Sequence, residues 1–223
     1  MWPARFIGRV CVRFMRVSSY NRIAGQSVER LAALSDGVFA VAMTLLVLDL
    51  RAPEVKEIHN ERDLWLALGA LAPRLVMCAM TFMTLGIFWV GQQTQLNHLT
   101  RSDRSLSWMH IFFLFAVSMM PFSTMLLAAF MAYRIALLVY WVNILLLGGA
   151  LYFTWVCAQG LGLVRDDLSP AVAAAIKRRI VIAQALYAFG ALLCLVNTYV
   201  SIGFIVLVQL NYAVAPRLPG RAR

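Results

Sequence analysis

Arg30-Leu31-Ala32-Ala33-Leu34-Ser35-Asp36-Gly37-Val38-Phe39-Ala40-Val41-Ala42-Met43-Thr44-Leu45-Leu46-Val47-Leu48-Asp49 is an apolar run of membrane length, with charge near both ends. A helix rises 1.5 Å per residue, so about 20 mostly apolar residues cross ~30 Å of hydrocarbon. The run from about Leu31 to Leu50 meets that length. Five more follow, at about Leu64 to Gly91, Leu106 to Phe130, Ile135 to Gly160, Ile180 to Asn197 and Tyr199 to Val214. The last two are short and nearly contiguous, which predicts a tight helical hairpin. Pro73 and Arg74 fall inside the second run, predicting either a kink or an interfacial turn before it.

Composition points the same way. Of the 223 residues, 62% are hydrophobic and 13% charged, and the mean hydropathy is +0.77. Soluble domains run nearer half apolar and a quarter charged, so lipid is the expected solvent. The fold class predicted is all-α, a polytopic membrane protein with six transmembrane helices. Lys and Arg outnumber Asp and Glu by 20 to 10. This excess does not make a nucleic-acid partner, because it lies between the apolar runs and leaves no basic face. Arg51, Lys56, Arg62 and Arg134 would stand on one side of the membrane and Arg74 within or near it; the other fifteen share the opposite side. The positive-inside rule then puts the N- and C-termini in the cytoplasm. Three parts are expected: 1–26, a basic amphipathic or disordered N-terminal segment; 27–215, the six-helix transmembrane domain; 216–223, a basic C-terminal tail.

Signs of enzyme chemistry are absent. His59, His98 and His110 are scattered, there is no His-x-x-x-His, and no Gly-rich loop opens a helix. The four cysteines have no metal-site spacing. Neither a metal nor a cofactor is expected, and the chain does not read as an enzyme. Asp166–Asp167 beside Ser169–Pro170 reads as a helix start.

The first run carries more information. An aspartate at the end of a span is costly unless it is paired or meets water, so Asp36 is a functional candidate. At 100° per residue, Val41, Thr44, Leu45 and Leu48 gather on one side of the helix, away from Asp36. Around a symmetry axis they would stack as rings of valine, threonine, leucine and leucine. Such rings form a hydrophobic constriction that gates by dewetting, with the threonine hydroxyls as a polar step. The same stripe could instead face lipid, and Thr44 could bond its own backbone carbonyl.

Arg30-x-x-x-Leu34-Ser35-Asp36 resembles the Arg-x-x-x-Phe-Ser-Asp signature that opens the first helix of the transmembrane protein 175 family of potassium channels. Phe88-Trp89 followed by Gln92-Gln93, Arg101-x-Asp103, and Pro121-Phe122-Ser123-Thr124 are similar to later segments of that family. The likeness spans residues 28–130, and beyond them rests on hydropathy alone. It implies a six-helix, bacterial-type subunit that assembles as a homotetramer, with a pore lined by helix one. By the same resemblance, Val41 takes the narrowest apolar ring, Thr44 a position tied to selectivity, and Leu45 and Leu48 apolar pore positions. Arg30, Ser35 and Asp36 would belong to a polar network holding helix one, with partners among Trp89, Gln92 and His98. Three departures stand out: Leu34 for phenylalanine, Gln92 and Gln93 for a histidine pair, and Val41 for a larger side chain.

The expected function is a potassium-selective or potassium-preferring leak channel in a cell membrane, of bacterial inner-membrane type. Its partners would be the bilayer, further copies of itself and monovalent cations, with K+ the permeant ion. A proton-permeable pathway or secondary transporter, and a non-conducting membrane scaffold, are the alternatives. Transporters show ionisable midplane residues or inverted repeats, and a scaffold would need no central axis.

Overall fold

The computed structural model describes residues 25, 27–48, 50–52 and 58–214. The amphipathic segment expected within 1–26 (Gly25 apart), the 216–223 tail and Asp49 lie outside the described residues.

The described residues form helices joined by short connections, with no strand longer than a single bridge among them. Helix α1 is Val28–Leu48, α2 Glu61–Leu96, α3 Arg104–Ser118 and α4 Met120–Ala129. Helix α5 is Arg134–Gly160, α6 Pro170–Leu192 and α7 Thr198–Val214. Five spans have the length and hydropathy to cross a membrane: α1, α2, α3 with α4, α5, and α6 with its 3-10 extension. The sixth, α7, is apolar but only 17 residues long.

Local chemistry explains the ends. Asn60, Asp103 and Ser169 cap α2, α3 and α6 by accepting from the backbone N–H groups of Asp63, Leu106 and Val172, which satisfies donors that a helix start leaves unpaired. Pro170 follows at the first helical position, where a missing N–H costs nothing. Inside the third span the helix breaks at Met119, two residues before Pro121; the Pro121 ring has no N–H to donate back into α3. Pro73 acts differently. Helix α2 runs through it without a break for 36 residues, so no separate interfacial turn precedes the second span. Helix α6 of the fifth span starts at Pro170, ten residues before the apolar run, whose start is delayed by Lys177, Arg178 and Arg179. Leu193–Leu195 then forms the tight 3-10 turn of the α6–α7 hairpin.

Helix α1 packs on α2, α3 and α4, and α5 on α3, α4 and α6. Helix α7 lies against α6 and α2, whereas α2 and α6 are not packed together. One apolar core joins Phe39 and Leu46 to Met77, Met80, Phe113, Met120, Leu137 and Ile144. A polar seam crosses it: the Thr81 hydroxyl meets Thr124 (2.7 Å) and Tyr140 (3.3 Å), Thr84 meets Tyr140 (3.1 Å), and Gln209 donates to Thr84 (2.7 Å). Away from water, such groups persist only when bonded to one another. At the end of the bundle where α1 begins, the α2–α3 and α5–α6 connections are tied by backbone. Thr100 N–H donates to the Leu163 carbonyl (2.9 Å), and Arg165 N–H to the His98 carbonyl (3.0 Å).

Candidate ion-pathway helix and its anchor

Helix α1 has two unlike sides. Ser35, Phe39, Ala42 and Leu46 are buried and, at 100° per residue, fall within about 60° of one another. Their centre lies about 140° from that of Val41, Thr44, Leu45 and Leu48, all of which are exposed, Val41 by 58% and Leu48 by 74%.

The buried side is anchored by a hydroxyl hub. Ser35 Oγ donates to the Leu31 carbonyl (2.8 Å), accepts from Gln92 Nε2 (2.7 Å) and lies 2.7 Å from His110 Nε2. Because the serine proton goes to Leu31, the His110 bond needs its proton on Nε2. Gln92 and His110 are 1% and 3% exposed, so α1, α2 and α3 meet here out of contact with water. One residue on, the Asp36 carboxylate accepts through Oδ1 from Trp89 Nε1 and Gln93 Nε2, both at 2.8 Å. Two charge-assisted hydrogen bonds hold the carboxylate to α2. The spacing of the donors makes this possible: Trp89, Gln92 and Gln93 are three and four residues apart and share one face of α2.

Ser35, Asp36, Trp89 and Gln92 are thus brought together. Arg30 does not join them. Five residues before Ser35, it points about 140° away; its side chain is exposed, and among the described residues only its backbone N–H is engaged, by Ser27 Oγ. His98 is also outside the cluster and contributes a backbone carbonyl elsewhere. His110 and Gln93 are the members that sequence reasoning did not assign. A signal for His110 existed, as a lone imidazole inside an apolar run. The exposed side also extends further than the four stripe residues. Leu34 is 48% exposed, and a Cβ on Gly37 would meet nothing within 4 Å; both lie on the arc of Val41.

Thr44 Oγ1 donates to the Val41 carbonyl at 2.8 Å. That bond spends the hydroxyl proton and leaves oxygen lone pairs facing outward, the polarity a cation meets favourably. Among the described residues, no group of three or more His, Cys, Asp or Glu could hold a metal ion.

Residues 30–121 match the family model described as endosomal/lysosomal potassium channel TMEM175. A curated potassium channel of Streptomyces collinus is 36% identical over 102 residues, which are 46% of this chain and 48% of that protein. An endosomal/lysosomal proton channel TMEM175 of Mus musculus is 30% identical over 52% of this chain and 24% of its own length. The chain thus spans about half the length, or less, of the curated relatives it matches. Its structure superposes on the crystal structure of a lysosomal potassium-selective channel TMEM175 homolog from Chamaesiphon minutus. The TM-score is 0.74 at 25% identity, covering 84% of this chain and 97% of that one.

The spans and the anchored first helix define a polytopic α-helical membrane protein of channel fold. Over residues 30–121 the chain is similar to the TMEM175 family, and its fold is similar to that of the TMEM175 homolog.

Proposed function

We propose that this chain is one subunit of a potassium-preferring leak channel, with α1 lining the conduction path. The observation that carries the reading is the split of α1. One side is locked into the subunit by Ser35 and Asp36, and the other presents Val41, Thr44, Leu45 and Leu48 exposed, with no covering element among the described residues. Four copies arranged about an axis turn that side inward. Leu48, Leu45 and Val41 then form apolar rings that dewet when narrow, and Thr44 offers oxygens partway. Conduction is passive and needs no cofactor; K+ is the permeant ion, and the relatives named as potassium channels support it. Lys and Arg placement supports a cell-membrane orientation with both termini cytoplasmic, of bacterial inner-membrane type. Val41 is a modest side chain for a narrowest ring, which favours preference for potassium over strict selection.

The test is potassium flux from proteoliposomes holding the purified protein. Wild type releases K+ down its gradient, and Val41→Asn wets the ring and raises the flux several-fold. An unchanged flux in Val41→Asn removes that residue from the path. A second reading, proton permeation, draws on the His110 imidazole in the anchor and on the relative named as a proton channel; acidification of the same vesicles under a pH gradient alone would favour it.

A further inference from the structure

Helices α2 and α6 are held apart by α5 and α7, and the space between them is a cleft of about 260 Å³. One wall is a continuous apolar face of α6, with Val172, Ile176, Ile180 and Ala183; the other is the last turns of α2, with Ile87, Phe88 and Gly91. Arg179 also lines it, with its guanidinium 5.6 Å from the centre of the Tyr212 ring. Deeper in, Gln184 is fixed by donating to the Ile144 carbonyl (3.3 Å), while its buried Oε1 has no hydrogen-bond partner.

We propose that this cleft binds an anionic phospholipid, one acyl chain lying along the α6 face and the phosphate on Arg179. The walls suit hydrocarbon, and the volume suits part of one chain rather than a whole lipid. The charge suits an anion. Lys177, Arg178 and Arg179 are consecutive, and among the described residues the ion pair present is Arg165 with Asp167. Among the described residues, no carboxylate pairs with this basic turn. Tyr212 holds the Arg179 guanidinium over its ring face by cation–π attraction, while the N–H groups stay free to donate to phosphate oxygens. The cleft is on the subunit, separate from the exposed side of α1, so the site stands whether or not the conduction reading does.

Native mass spectrometry of the full-length protein tests it, after exchange from vesicles of equal phosphatidylglycerol and phosphatidylcholine into a neutral detergent. Wild type retains phosphatidylglycerol in preference. Arg179→Gln lowers that preference by about fivefold, the worth of one basic contact at a membrane surface. Ala175→Phe, at an exposed position lining the cleft, lowers total retained lipid with the charge intact. Arg165→Gln, at the same end of the bundle, leaves retention unchanged. Equal retention of phosphatidylcholine, or an Arg165→Gln effect as large as that of Arg179→Gln, overturns the proposal in favour of unspecific lipid or surface charge. Displacement by sn-glycerol 3-phosphate alone overturns the acyl-chain part. Dissociation of the assembly by Ala175→Phe overturns it in favour of a second copy of the chain as the occupant.

Discussion

Ser35→Ala deletes the oxygen on which α1, α2 and α3 converge, and its cost can be worked from the structure. The Leu31 carbonyl loses little, since it retains a helical backbone partner. Gln92 and His110, at 1% and 3% exposure, lose an acceptor at 2.7 Å each. A buried polar group left unpaired costs about 1–3 kcal/mol, whereas side-chain bonds between membrane helices average about 0.6 kcal/mol. Two bonds thus lie between about 1 and 6 kcal/mol. Gln92 Nε2 and His110 Nε2 are 3.2 Å apart, and the other imidazole tautomer lets the amide donate to the ring, so the lower part of that range applies. The expected loss is about 2 kcal/mol. Gln92→Leu should cost less, because it also removes Oε1, which is buried with no partner. The double variant should then cost about 1 kcal/mol less than the two single losses combined. Reversible unfolding by dodecyl sulfate in mixed micelles reads all three. A Ser35→Ala protein as stable as wild type, or strict additivity with Gln92→Leu, would refute the hub.

Tyr140→Phe removes a hydroxyl shared by Thr81 and Thr84 in a fully buried position. It should cost about 1 kcal/mol in the same micelle titration while leaving the potassium flux of reconstituted vesicles unchanged, since the seam lies away from the exposed side of α1. Gly148→Ala puts a Cβ into the Gln184 amide, whereas a Cβ on Gly149 meets nothing within 4 Å. Thermal scans in detergent should show Gly148→Ala destabilised by about 1–3 kcal/mol, the range for overpacking, and Gly149→Ala near wild type.

The spans were legible because a membrane-crossing helix must be a long apolar run, and hydropathy detects that directly. Their ends were less so. Hydropathy stops at Ile180 because Lys177–Arg179 interrupt it, yet the backbone of α6 continues to Pro170, where Ser169 supplies the cap. The short α7 is a span by position in the bundle more than by length. For the candidate site, Ser35, Asp36, Trp89 and Gln92 were picked out by motif resemblance, and the structure gathers them. Arg30 was grouped with them by adjacency in the motif, but helical rotation carries it to the opposite side. His110 is 75 residues from Ser35, and one sequence holds no record of which helix faces lie together. The α6 cleft was illegible for the same reason, since it lies between two helices distant in sequence.

The backbone tie between the α2–α3 and α5–α6 connections constrains how such a molecule could move. Thr100 with Leu163 and Arg165 with His98 make a clasp that side-chain rotation cannot undo. The α2–α3 and α5–α6 connections are therefore held as one block at that end. Among the described residues, α1 is fastened to this block through side-chain bonds to Gln92, His110, Trp89 and Gln93. At that end the first helix is therefore held by bonds that a side-chain substitution can remove one at a time, whereas the clasp behind it is made of backbone.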